Sequence, residues 1–151
     1  MQVITKDILT VDKGVICHQV NCQRKMGSGL AAQIREKWPH VFEEYKAFKK
    51  NAKDFELLGE YQLVEISHDL VVCNIFGQLD YGPWDERYTD YGAINTALKT
   101  LWGNTPMTHN LIPLNQIYFP YKFGCDRGGG DWNIVSNMIE HYFPTAIICK
   151  L

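Results

Sequence analysis

Two stretches of the chain combine glycines with polar side chains in a way suited to holding an anion. The first is Asn21-Cys22-Gln23-Arg24-Lys25-Met26-Gly27-Ser28-Gly29-Leu30. The second is Tyr121-Lys122-Phe123-Gly124-Cys125-Asp126-Arg127-Gly128-Gly129-Gly130-Asp131. Each lies between a segment that reads as a strand and one that reads as a helix. Glycine removes the side chain, so backbone N–H groups can approach an anion closely. The helix start behind each loop adds unpaired N–H groups and the positive end of a dipole. Two such loops at one sheet edge would clamp a pyrophosphate from both sides. Taken singly, each is equally well explained by tight turns; the pair, with its polar flanks, points to a ligand.

Two titratable residues border these loops. His18 lies near the end of the strand that feeds the first loop, and Asp131 closes the second and opens its helix. A carboxylate can position or deprotonate water, and an imidazole can orient or protonate a leaving oxygen. Singly, Asp131 also suits a helix N-cap, and His18 a hydrogen-bonded place in a sheet. Familiar signatures are absent. There is no GxxxxGK[ST] for a P-loop, and Gly27-Ser28-Gly29 lacks the spacing of a serine nucleophile elbow. Met26 to Leu30 supplies two glycines of GxGxxG, but position 32 is Ala, and no acidic residue ends a following strand at the right distance. Cys125 is followed six positions on by Asp131, not by the arginine a cysteine phosphatase requires.

The elements that must position these residues alternate between strand and helix. Strands are expected at Gln2 to Ile4, Val15 to Val20, Leu57 to Ile66, Leu70 to Phe76, Gln116 to Phe119 and Thr145 to Cys149. Leu30, Ala31, Ile34 and Trp38 recur at helical spacing, which predicts a helix over Ser28 to Lys37 with Ser28 as N-cap. Pro39 opens a second helix through about Lys50. Ile94, Ala97, Leu98, Leu101 and Trp102 mark a third, and Ile134, Val135, Met138, Ile139 and Tyr142 a fourth over Asp131 to Tyr142. Residues 77–92 read as a loop rich in Gly, Asp and aromatics. The alternation argues for an α/β layered fold with a mostly parallel or mixed sheet. In such sheets ligands bind beyond the carboxyl ends of the strands, where both glycine loops fall.

Composition bounds the rest. The 151 residues point to one domain, and 46% hydrophobic with 21% charged residues is ordinary for a soluble globular protein. No apolar stretch is long enough to span a bilayer, and no signal peptide is visible. Fifteen basic against seventeen acidic residues give a net charge of −2, which disfavours a nucleic-acid binder. Five cysteines with no CxxC read as reduced, mostly buried thiols of a cytoplasmic protein. No metal site or cofactor is expected, since Cys17, His18 and Cys22 lack a second ligand pair. A monomer is expected, as no long exposed apolar helix suggests a partner.

At these residues the chain resembles a macro domain, in the branch of ADP-ribose-1″-phosphate phosphatases and the terminal ADP-ribose protein glycohydrolase. The matching pieces are Thr5-Lys6-Asp7-Ile8-Leu9, Cys17-His18-Gln19-Val20-Asn21-Cys22-Gln23 and Met26-Gly27-Ser28-Gly29-Leu30-Ala31. Further on come Asn74-Ile75-Phe76-Gly77-Gln78, Arg87-Tyr88-Thr89-Asp90-Tyr91, and Gly124-Cys125 through Gly129-Gly130-Asp131-Trp132. They run in order over nearly the whole chain, and the ordered set is specific.

The resemblance implies one three-layer α/β/α domain over residues 1–151. Its six-stranded sheet would be mixed and mostly parallel, with ADP-ribose across the top. It places Asp7 at the adenine amino group, with Ile8 beside the ring. Asn21, Met26, Gly27, Ser28, Gly29, Leu30 and Ala31 would line the distal ribose and diphosphate. Phe123, Gly124, Cys125, Gly128, Gly129 and Gly130 would form the opposing phosphate loop. His18 and Asp131 match the pair associated with phosphatase action. The glycohydrolase of this branch uses a lysine after the fourth strand, where this chain has Phe76-Gly77-Gln78. Cys125-Asp126-Arg127 likewise stands where a smaller or apolar pair is more usual. The implied reaction is hydrolysis of ADP-ribose-1″-phosphate to ADP-ribose and phosphate. The alternatives are a reader of free or protein-linked ADP-ribose, and a hydrolase of ADP-ribosyl or O-acyl-ADP-ribose esters.

Overall fold

A strand buried on both faces needs apolar residues at nearly every position, and Gly14–Asn21 and Leu70–Gln78 supply such runs. In a computed structural model that describes residues 1–83, 86–104 and 116–151, the elements begin with β1 (Gln2–Thr5), β2 (Gly14–Asn21), α1 (Gly29–Lys37), α2 (Pro39–Ala47) and the single turn α3 (Asp54–Leu57). They continue with β3 (Tyr61–Glu65), β4 (Leu70–Gln78), α4 (Tyr91–Gly103), β5 (Ile117–Pro120), α5 (Trp132–Tyr142) and β6 (Ile147–Lys150). The strands form one six-stranded sheet in the order β1-β6-β5-β2-β4-β3. All pairs are parallel except β3 with β4. The mixed, mostly parallel sheet expected from the sequence is therefore the one observed.

Side chains alternate across the two central strands. Val15 and Cys17 of β2, with Cys73 and Ile75 of β4, pack under α4 and α5 against Ile94, Leu98, Val135 and Ile139. Ile16 and Val20, with Val72 and Phe76, face the other way onto Ile34 of α1, Val41 and Tyr45 of α2 and Leu57 of α3. The sheet is thus covered on both faces, and its parallel carboxyl ends, including that of β2 in the middle, open toward the two glycine loops.

Several boundaries differ from the sequence expectation. Residues 57–60 are not strand: Asp54–Leu57 closes a helical turn, with Glu56 Oε1 accepting from the Lys53 N–H at 3.0 Å. Gly59, at φ +89°, then turns the chain into β3. The helix α2 stops at Ala47 rather than near Lys50, because Phe48 takes extended angles and Lys49 sits at φ +45°. Arg24 holds that end: its guanidinium donates to the carbonyls of Lys46 at 2.7 Å, Phe48 at 2.8 Å and Lys49 at 3.1 Å. Ser28 occupies the N-cap position of α1, but its hydroxyl makes no capping bond. In the 77–92 loop, Gln78 and Thr89 form a lone antiparallel bridge and Tyr91 already begins α4, while residues 84–85 lie outside the described set. Among the described residues no helix is long and apolar enough to cross a membrane.

Candidate functional site

A cleft of about 640 Å³ opens beyond the carboxyl ends of β2, β4 and β5. The first loop contributes Asn21, Met26, Gly27, Ser28, Gly29, Leu30 and Ala31 to its walls, and the second contributes Phe123, Gly124 and Gly128, with His18 between them. The remaining candidates stand outside this lining. Asp7 follows β1, its Oδ1 accepting from the Leu9 N–H at 3.0 Å, and Ile8 is packed into the core. Cys125, Gly129, Gly130 and Asp131 belong to the second loop but not to the part of it that lines the cleft.

The two loops use glycine for different reasons. A side chain at Gly27 would meet nothing within 4 Å, and one at Gly29 (φ +59°) would meet only Arg127, at 3.6 Å. The first loop is therefore open to the cleft. A Cβ at Gly129 (φ +72°) would fall 2.8 Å from the Glu86 carbonyl oxygen, and one at Gly128 would collide with Thr89. The second loop needs glycine mainly to lie against residues 86–89. The Gly128 carbonyl accepts from the Tyr88 and Thr89 N–H groups at 2.8 and 2.9 Å, and Gly124 accepts from Gly130 at 3.0 Å.

Asn21 organises the first loop rather than reaching into the cleft with free polar atoms. Its Oδ1 accepts from the Gln23 N–H and the Tyr45 hydroxyl, both at 2.9 Å, and its amide donates to the Lys25 carbonyl at 3.0 Å. On the opposite side, Gln19 ties three segments together: its amide donates to Gln78 at 2.6 Å and to the Thr89 hydroxyl at 2.9 Å. Gln19, Gln78 and Thr89 were not singled out from the sequence. Each falls within a stretch that carries the family resemblance, but none was given a role there.

The electrostatics favour an anionic guest. Lys25, Arg35, Lys122 and Arg127 line the cleft, with Asp126 the only carboxylate among its described lining residues. This happens in a chain whose net charge is −2. His18 is 1% exposed, with Nε2 2.5 Å from Asn74 Oδ1. Burial pushes its imidazole down to about 4, against the Asn74 hydrogen bond, which favours the protonated ring. Burial thus favours the neutral imidazole of His18 at pH 7. Asp131 is exposed and caps α5, its Oδ1 accepting from the Asn133 N–H at 2.9 Å, while its own N–H donates to the Tyr91 hydroxyl at 2.9 Å. Burial, with the charge of Asp131 second, pushes the Cys125 thiol up to about 11, and burial likewise pushes Cys22 up to about 12. Neither is a ready thiolate nucleophile.

No protein-family model matches the chain. Over 130 residues it is 28% identical to an uncharacterized 17.5 kDa protein of Enterobacteria phage T4, spanning 84% of this chain and 78% of that one. A macrodomain protein from Streptomyces coelicolor superposes with a TM-score of 0.76 at 23% identity, over 99% of this chain and 97% of that one. DarTG of Thermosipho africanus, solved in complex with ADP-ribose, superposes with a TM-score of 0.77 at 18% identity, over 99% of this chain and 41% of the other. The fold is that of a macrodomain.

Proposed function

We propose that the cleft binds ADP-ribose and that residues 1–151 act as one domain that hydrolyses ADP-ribose-1″-phosphate to ADP-ribose and inorganic phosphate. The observation that carries this reading is the cleft itself: an open glycine loop faces a stitched one, with four cationic side chains around them, beyond the carboxyl ends of a parallel sheet. The fold shared with an ADP-ribose-bound structure supports ADP-ribose as that anionic guest. In this reading a water molecule attacks phosphorus and passes a proton to the Asp131 carboxylate. The new P–O bond forms as the bond to the ribose 1″-oxygen breaks, and that oxygen keeps the electron pair and takes up a proton from solvent, to which Asp131 returns the one it received. Asp131 Oδ1 is engaged in the cap, and its second oxygen is the one assigned to the water. His18 orients rather than donates.

The lysine-dependent route of the glycohydrolase receives no support from this chain, because Phe76-Gly77-Gln78 stands where that lysine would be. A non-catalytic reader is the second reading, and the capping role of Asp131 outside the cleft lining favours it. Wild-type protein incubated side by side with ADP-ribose-1″-phosphate and with a carboxylate-linked ADP-ribosyl protein separates the three. Phosphate release supports the phosphatase, and label loss from the protein supports ester hydrolysis. Saturable ADP-ribose binding without either product leaves the reader.

A further inference from the structure

Three polar residues cross one otherwise apolar face of the sheet in a single row. His18 of β2 is the register partner of Asn74 in β4, and Asn74 is the partner of Gln62 in β3. All three are buried, at 1%, 0% and 8% exposure, on the face that carries Ile16, Val20, Val72 and Val64. Buried polar groups in an apolar layer persist only when paired, and here they are paired to one another. The row begins at the cleft, which His18 lines, and ends at the backbone of α2, where Gln62 Nε2 donates to the Glu44 carbonyl at 2.9 Å.

That last contact sets the direction of every bond in the row. A carbonyl oxygen only accepts, so the amide nitrogen of Gln62 must face Glu44 and its Oε1 must face Asn74. Asn74 Nδ2 accordingly donates to Gln62 Oε1 at 3.0 Å, which turns Asn74 Oδ1 toward His18. An amide oxygen also only accepts, so the hydrogen between the two must sit on His18 Nε2. The other ring nitrogen, Nδ1, then carries a lone pair, and it is buried with no hydrogen-bond partner among the described residues.

We propose that Asn74 and Gln62 are positioning residues that lock His18 as the Nε2–H tautomer and leave Nδ1 as a buried hydrogen-bond acceptor on a residue that borders the cleft. Such an acceptor suits a donor, namely a ribose hydroxyl or the attacking water, and repels a phosphate oxygen, which has only lone pairs to offer. The identity of that donor rests on the ADP-ribose reading above, whereas the tautomer does not.

Long-range proton–nitrogen NMR on ring-labelled protein tests the lock directly. The wild type is expected to show Nε2 protonated and Nδ1 bare at pH 7. Asn74→Leu removes the acceptor, and Gln62→Leu frees the Asn74 amide to turn over without touching His18. Each should replace the single tautomer by a mixture or by the Nδ1–H form. If Asn74→Leu fails to fold, as judged by circular dichroism, Gln62→Leu carries the test at one further remove. With the hydrogen bond to His18 loosened, the ADP-ribose dissociation constant should rise about 2- to 12-fold, the range one neutral hydrogen bond spans. A wild-type ring protonated on Nδ1 would overturn the proposal, as would an Nε2–H ring that persists unchanged in both folded variants. Failure of ADP-ribose to bind would instead sink the substrate reading and leave the nitrogen spectrum fully interpretable.

Discussion

Replacing Asp131 with Asn separates the two roles that the structure allows this residue. As a cap, the Asp131 carboxylate accepts from the Asn133 N–H at 2.9 Å. Asn caps a helix about as well as Asp, so the geometry survives. What is lost is the negative charge at the start of α5, worth about 0.3–1 kcal/mol against the helix dipole. For a chain of this length that corresponds to at most about 2–4 °C in thermal midpoint. As a base, by contrast, an amide cannot take a proton from water. Phosphate release from ADP-ribose-1″-phosphate should therefore fall about 10²–10⁴-fold, the usual general-base contribution, while ADP-ribose binding is retained. Asp131→Ala supplies the control: it removes the cap as well and should cost about 1 kcal/mol of stability, with turnover no lower than in Asp131→Asn. The assay is colorimetric phosphate release at saturating substrate, with differential scanning calorimetry on the same samples. A folded Asp131→Asn protein that releases phosphate at the wild-type rate would refute the reasoning and reduce Asp131 to a cap.

Other perturbations follow from the same geometry. Arg24→Ala leaves the carbonyls at the end of α2 without their shared donor and should destabilise the protein by about 1.5–3 kcal/mol, as for hydrogen bonds to a charged group; an unchanged urea midpoint would show that water replaces the guanidinium. Gly29→Val forces a branched side chain into φ +59°, at a cost of about 1–2 kcal/mol, and sets it against Arg127 at the cleft wall. It should abolish ADP-ribose binding with circular dichroism near native, whereas Gly129→Val should chiefly lower the thermal midpoint through its collision with the Glu86 carbonyl. His18 titrates near 4 when folded against an ordinary value of 6.5, so the unfolded chain binds more protons between those pH values. Its contribution to stability is complete above pH 6.5 and is lost as pH falls toward 4, by about 3 kcal/mol in all. His18→Gln should flatten that part of the stability profile in denaturant titrations, and an unaltered slope would assign the acid sensitivity to other groups.

The fold was legible because its signals are local. Apolar runs at β2 and β4 and the 3.6-residue spacing of Ile94, Ala97, Leu98 and Leu101 depend only on near neighbours along the chain. The error at residues 57–60 has the same origin: Leu57 and Leu58 look like the start of a strand. A turn closed by Glu56 and a glycine at φ +89° bury Leu57 instead. The glycine loops could be read from spacing alone. The residues that hold them could not, because their partners are remote. Arg24 serves carbonyls more than twenty positions away, Gln19 meets Thr89 across the sheet top, and His18, Asn74 and Gln62 form a row only once strand register is known. His18 was legible as a candidate, whereas its partners Asn74 and Gln62 showed only as polar residues within apolar strands.

Titration of ADP-ribose into the wild-type protein by isothermal calorimetry decides whether the cleft is an ADP-ribose site. Saturable one-to-one binding is expected, removed by Gly29→Val and preserved by Asp131→Asn. Absence of saturable heat from the folded protein, or binding that Gly29→Val leaves intact, would contradict it.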